Sequence, residues 1–276
     1  MSLFITSLNS GSNGNCYYIG NDNEAVLIDA GISCRETEKR LNRLGLSIYN
    51  IKAIFVSHEH SDHITGISRL SKKYRLPVYI TEGTLKSSGL LIEKHLVESF
   101  HPNEPVTIGG LTITAFSKFH DASDPHSFMV SDNKVNIGIF TDIGYACKEV
   151  IRYFKLCHAA FLESNYCNDM LSQGNYPYYL KKRISSDNGH LSNVQALDIF
   201  IKYRGTQLSH LILSHLSENN NCPKLVNRLF NEKAGTTKIV VASRYEETEL
   251  YSIAGSLVRT AVKKREKSPQ VQLSLF

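Results

Sequence analysis

No run in this 276-residue sequence approaches the ~20 apolar residues that a bilayer-crossing helix needs, so no membrane partner is expected. Met1 to Ser10 lack both a basic segment and a long apolar one, and no secretory signal is expected either. The six cysteines, Cys16, Cys34, Cys147, Cys157, Cys167 and Cys222, are scattered and form no close CxxC pair. That argues against a secreted disulfide framework and for free thiols in a reducing compartment, hence the cytoplasm. No short repeat or internal linker breaks the chain. With 42% hydrophobic residues it can bury roughly three quarters of its unfolded surface, enough for one large domain or two small ones. The formal charge of +5 leans mildly toward polyanionic partners.

One stretch dominates what is present. Val56-Ser57-His58-Glu59-His60-Ser61-Asp62-His63 sets three histidines and an aspartate within six positions. The apolar Ala53-Ile54-Phe55-Val56 before it reads as a strand, and Ile64 to Tyr74 after it reads as a helix. Alternate residues of an extended strand end face the same way, so His58 and His60 point together at one ion. Asp62 and His63 fall where the helix starts and are aimed elsewhere, at a second ion. Imidazole with carboxylate suits zinc, and manganese or iron less well.

Around this stretch the chain reads as strands at Leu3 to Leu8, Cys16 to Ile19 and Ala25 to Ile28, with a turn-rich loop from Asn9 to Asn15. Ser33 can cap a helix running to Leu44, with Glu36 as its capping-box partner. A strand at Pro77 to Ile80 and a helix from Glu82 to Leu91 follow. Val106 to Phe140 is β-rich, with alternation at Leu111 to Phe116 and Lys134 to Phe140 and a loop from Lys118 to His126. Later come strands at Ala159 to Glu163, Leu208 to Leu213 and Lys238 to Ala242. Helices are expected at Tyr178 to Ile184, Ser192 to Tyr203 and Lys224 to Phe230. A strand-rich half followed by strand–helix alternation fits two sheets with helices outside both.

The HxHxDH pattern resembles the metallo-β-lactamase superfamily of hydrolases. In the di-iron redox branch of that superfamily a Glu stands at the second histidine; here it is His60, which points to hydrolysis. The resemblance implies a four-layer αββα sandwich over residues 1–261 and further ligands at the ends of later strands, where His120, Asp142 and His215 match. It assigns His58, His60, His120 and Asp142 to one ion, and Asp62, His63, Asp142 and His215 to the other. The implied cofactors are two divalent ions, Zn or Mn, with Fe also admitted. His126 and His101 compete for the role of His120, which is preferred because it directly follows a strand within His-Asp-Ala. Asp29, also at a strand end, either orients a ligand histidine or caps the next helix.

A closer likeness, over nearly the whole chain, is to the YycJ/WalJ-type branch, small bacterial metallo-hydrolases regarded as nucleases. It is carried by Ser10 to Asn15, Leu27 to Ser33, His120-Asp121-Ala122, Gly189 to Asn193 and His215 to Asn220. One departure is His126-Ser127 after Pro125, where smaller residues are expected. Gly189-His190-Leu191-Ser192 is similar to the His-Ser-Thr segment of ribonuclease Z. That likeness makes His190 a phosphate binder or proton donor to the leaving oxygen. Ser192 then sits at a helix N-terminus suited to an anion, or simply caps the helix. Glu163 holds His190 or is plain structure. Asp62 is the candidate to orient the attacking hydroxide. Lys181-Lys182-Arg183 hold a nucleic-acid backbone or form a solvated helix face.

Two divalent ions less two carboxylates leave about +2, which attracts a phosphodiester. Residues 262–276 read as a flexible basic tail. Its end, Gln272-Leu273-Ser274-Leu275-Phe276, resembles the peptide by which replication and repair proteins bind the bacterial sliding clamp; Gln272, Leu273, Leu275 and Phe276 would make the contact, unless they dock on their own domain. The expected activity is a DNA phosphodiesterase of the exonuclease type, linked to replication or repair. A thioesterase or lactonase with the same metals, and a non-catalytic clamp-associated protein, are the alternatives.

Overall fold

In the computed structural model, which describes residues 2–255, the chain forms two seven-stranded sheets. The first holds β1 (Leu3–Asn9), β2 (Cys16–Gly20), β3 (Ala25–Ile28), β4 (Ile51–Phe55), β5 (Val78–Tyr79) and β6 (Val97–Glu98). The second holds β7 (Pro105–Ile108), β8 (Leu111–Ser117), β9 (His126–Ser131), β10 (Asn136–Phe140), β11 (Ala159–Glu163), β12 (His210–Ser214) and β13 (Lys238–Val241). A last strand, β14 (Tyr251–Ile253), returns to the first sheet and pairs antiparallel with β1. The helices are α1 (Cys34–Arg43), α2 (Ser61–Ile64), α3 (Ile67–Tyr74), α4 (Glu82–Ser88), α5 (Lys148–Phe154), α6 (Asn168–Gln173), α7 (Tyr178–Ile184), α8 (Asn193–Tyr203) and α9 (Pro223–Asn231).

The layers follow from the two-residue period of the strands. In β3, Val26 and Ile28 enter the core between the sheets, whereas Ala25 and Leu27 face Leu41 of α1 and Ile67 and Leu70 of α3. In β12, Ile212 enters the same central core, whereas Leu211 and Leu213 join Val150, Phe154, Phe200 and Phe230 of α5, α8 and α9. The result is the αββα sandwich. Each sheet changes character partway across. β1, β2 and β3 pair antiparallel, then β3, β4, β5 and β6 run parallel. Likewise β7 to β10 pair antiparallel, then β10 to β13 run parallel. Ligands of open α/β sheets gather beyond the carboxyl ends of such parallel strands.

Several boundaries differ from the sequence reading. The single helix expected from Ile64 to Tyr74 is two, α2 and α3, with the break at Gly66. That backbone lies against the Ala30–Ile32 turn: Gly66 N donates to Ala30 O at 2.7 Å, and a Cβ would strike the Ile32 carbonyl. The helix expected to reach Leu91 stops at Ser88. His126, read as loop, begins β9, while α5, α6 and β14 were not expected. Ser33 does cap α1, accepting from Glu36 N. No helix among the described residues is long and apolar enough to cross a membrane. The expected tail, 262–276, with Gln272, Leu273, Leu275 and Phe276, lies outside the described residues, as do residues 256–261 of the expected domain.

Candidate metal centre

The parallel strands deliver their chemistry at their carboxyl ends. Asp29 follows β3, the His58 loop follows β4, Asp142 follows β10, Glu163 ends β11, and His215 follows β12. Asp29, Asp142 and His215 have φ of 59°, 56° and 56°. Non-glycine residues adopt this left-handed backbone rarely, and such strain concentrates at functional sites. The corner turns each side chain off the strand axis toward the seam between the sheets. After β4 the chain winds directly into α2, which carries Asp62 and His63 in its only turn.

All seven expected ligands meet in this seam. One group is His58, His60 and His120, and another is Asp62, His63 and His215; within each, the ligand atoms lie within 4.8 Å of one another. Asp142 faces both. Its Oδ2 is 3.2 Å from His63 Nε2, and its Oδ1 is 3.7 Å from His120 Nε2 and 3.5 Å from His215 Nδ1. Asp62 Oδ2 lies 3.4 Å from His63 Nε2 and 3.3 Å from His215 Nε2.

The imidazoles are held from behind. His120 Nδ1 donates to Gly189 O at 3.0 Å, which leaves Nε2 to face the seam. Ser57 Oγ donates to Asp29 Oδ2 at 2.7 Å and so accepts from His58 Nδ1 at 2.9 Å. His63 Nδ1 lies 2.7 Å from Asp29 Oδ2. Asp29, fully buried, thus holds His63 directly and His58 through Ser57, and the cap of α1 falls to Ser33. Such outer carboxylates fix tautomer and ring direction. His58 Nε2 is buried with no hydrogen-bond partner. Buried polar atoms are rarely left so, and a lone pair aimed among His60, His120 and Asp142 suits a cation. Imidazole and carboxylate donors together fit a divalent first-row metal.

The two groups lie in different electrostatic surroundings. Burial holds the His58 imidazole well below its ordinary value, and the neighbouring His63 and Lys118 charges push the same way. Burial likewise takes His120 down to about 4. On the other side burial is outweighed. Asp142, Asp62 and Asp29 hold His63 well above the usual imidazole range, and Asp142, Asp62 and Glu163 raise His215 to about 10. Burial opposes charge on Asp142 as well, yet His215 and His63 keep its carboxyl well below the usual range.

His190 stands beside these groups, its ring centroid 5.1 Å from that of His120 and 5.2 Å from that of His215. Its Nδ1 lies 2.7 Å from Oε1 of the fully buried Glu163. The same oxygen is 3.0 Å from His215 Nδ1, while Oε2 accepts from Ile143 N and Leu191 N. Burial raises the Glu163 carboxyl, but His190 and His215 bring it to about 2. Ser192 is 2% exposed and caps α8 in a reciprocal capping box with Gln195, so its hydroxyl is engaged there. Lys181 donates to Ser172 O, Arg183 Nε lies 2.5 Å from Asp121 Oδ2, and Lys182 is exposed. Of the two competitors of His120, His101 is exposed, and His126 is buried against Phe100 with Nδ1 on Asp124 O.

Three contributors escaped the sequence reading. Asn15 Nδ2 donates to Asp62 Oδ2 at 3.0 Å and lies 3.1 Å from His63 Nε2. Ser57 links Asp29 to His58, as above. Lys118, 5% exposed, donates from Nζ to Thr141 O at 2.7 Å and steadies the corner at Asp142. The only signals were a Gly/Asn/Ser-rich loop for Asn15 and proximity in sequence to ligands for the other two.

Residues 24–216 match the family model described as beta-lactamase superfamily domain. A protein of Bacillus anthracis named exodeoxyribonuclease YycJ is 35% identical over 240 residues, covering 84% of this chain and 91% of its own. Exodeoxyribonuclease WalJ of Streptococcus pneumoniae is 31% identical over 228 residues, covering 80% and 84%. Among solved structures, the metallo-beta-lactamase fold protein YhfI of Bacillus subtilis superposes with a TM-score of 0.71 at 16% identity, covering 91% of this chain and all of that one.

Proposed function

The chain belongs to the beta-lactamase superfamily domain family, and on that premise we propose that it is a metal-dependent exodeoxyribonuclease holding two divalent cations, Zn or Mn. The observation that carries this is the convergence of His58, His60, His120, Asp62, His63, His215 and Asp142 on one seam, with a carboxylate-held His190 at its side. His58, His60, His120 and Asp142 would hold one cation, and Asp62, His63, His215 and Asp142 would hold the other. When bound, the cations supply Lewis acidity toward a phosphoryl oxygen and make an attacking water more acidic.

The protein's own groups do the rest. Asp62, tethered by Asn15, orients the attacking water. His190 has Nδ1 tied to Glu163, so Nε2 is the atom that meets the scissile phosphate and carries a proton to the leaving oxygen. Glu163, itself pinned by Ile143 N and Leu191 N, fixes the ring so that Nε2 is presented in one direction, which suits a general acid. DNA is the substrate, the cytoplasm is the compartment, and Gln272 to Phe276 form a sliding-clamp peptide supported by its sequence alone.

The test is hydrolysis of end-labelled linear DNA and of closed circular DNA by Mn-loaded protein. Linear DNA should shorten from an end while circles survive, and His190→Ala should slow shortening about 10²-fold or more. Turnover of a thioester with DNA untouched would overturn the proposal.

A further inference from the structure

The exposed face of α7 takes no part in the metal centre. Tyr178 and Tyr179 are 80% and 73% exposed, although each carries a large aromatic ring. One helical turn later come Lys182 and Arg183, so Tyr178/Lys182 and Tyr179/Arg183 are pairs at the spacing that brings side chains onto one face. The residues of α7, Tyr-Tyr-Leu-Lys-Lys-Arg-Ile, include no acid.

This helix is fastened to the rim of the metal centre at both ends. Arg183 is bound to Asp121, the neighbour of His120. His190 N donates to Ile184 O at 2.8 Å, just past the basic end. Tyr176, before the helix, accepts from Asn219, four residues beyond His215. The basic turn therefore lies toward His120 and His190. The rim continues in further aromatic surface. Phe119, 47% exposed, packs on Tyr145 with ring centroids 4.7 Å apart. Gly144, beside Tyr145, lies so close to Asp187 that a Cβ would strike its carbonyl.

We propose that this face of α7 carries the single strand of DNA leading away from the scissile bond. Lys182 and Arg183 face its phosphates, and Tyr178 and Tyr179 stack on its bases. The inference rests on the nuclease function proposed above. Aromatic rings alternating with cations are how proteins track a strand without reading its sequence, because every base offers a π-face. An exonuclease that must pass along any sequence needs such a track. The cationic, acid-free composition of α7 and its continuity with a phosphodiester site favour a nucleic acid over a protein partner.

The experiment measures KM of the Mn-loaded full chain for single-stranded oligothymidylates from a dinucleotide to about ten nucleotides, a span within known strand-binding sites. For the unsubstituted protein KM should fall with length. In the Tyr178→Ala/Tyr179→Ala double variant that gain should be lost, raising KM for the longest oligomer about 10-fold or more. The double Phe variant, which keeps both rings, should restore it. Tyr49→Ala, at an equally exposed tyrosine paired with Tyr74, should keep the gain. If the double Ala variant shows the same length dependence as the unsubstituted protein, the face serves another partner and the inference falls while the nuclease reading stands. If the unsubstituted protein cleaves no oligonucleotide, both fall.

Discussion

The two sides of the metal centre are built from the same ring but in opposite surroundings. On the His58, His60 and His120 side, imidazole faces imidazole, with centroids 4.6 to 5.1 Å apart. Burial keeps His58 and His120 uncharged, so their lone pairs are ready for a cation. On the other side, His63 and His215 stand among Asp62, Asp29, Glu163 and Asp142, which favour positive charge of any kind, proton or metal. A cation on the first wall would therefore be held by donor geometry, whereas one on the second would be held by field and would have to displace protons as it enters.

Asp142 is where this contrast should break down, because its two oxygens serve both walls. Asp142→Asn keeps a residue that tolerates left-handed backbone, so the fold should survive. Loss of the cations forfeits several kcal/mol of charge stabilisation, roughly a thousandfold in rate. Metal analysis should find both sides depleted; depletion of one alone would show that the carboxylate does not bridge.

A titration across pH sharpens the contrast with a smaller effect. From about pH 6 to about pH 10 the acid-lined side should bind metal more tightly as pH rises, because His215, raised to about 10, must surrender a proton. On the other side His120, lowered to about 4, is already neutral over that range and has no proton to surrender. Calorimetric titration in buffers of different ionisation heat reads the protons released, and equal release from both sides would remove the distinction. The smallest effect is expected at Ser192, outside both walls. Ser192→Ala should lose the α8 cap at a cost of about 1 kcal/mol in urea unfolding, with KM for DNA unchanged. A large rise in KM would mean that the hydroxyl reaches the phosphate.

The His58-to-His63 stretch was legible because one strand, one loop and one helical turn carry all four ligands in order. Asp142 and His215 could be recognised only as strand-end residues completing a family pattern. Asn15 stood only as part of the turn-rich Ser10–Asn15 stretch, with no sign of its contact, and Lys118 only as a near neighbour of His120. Asn15 reaches Asp62 across 47 residues, and Lys118 bonds a carbonyl rather than a ligand; neither contact leaves a period or spacing in the sequence. The apolar runs of β3 and β12 marked them as strands without showing which residue faces which layer, and the sandwich itself was legible through the family resemblance. The break at Gly66 was hidden because the apolar period runs on through it, and only the Ala30–Ile32 backbone, from another part of the chain, interrupts the helix. At seven residues, α5 is too short for its period to stand out.

The reversed-hand corners at Asp142 and His215 would filter which elements the protein can accommodate. Asp and His are among the few side-chain types that tolerate this backbone well, and both offer hard or borderline oxygen and nitrogen donors. A β-branched or bulkier residue evolving there meets a steric barrier before any question of affinity arises. Handedness of the main chain thus narrows the repertoire of donor atoms, and through it the inorganic chemistry open to descendants of this scaffold.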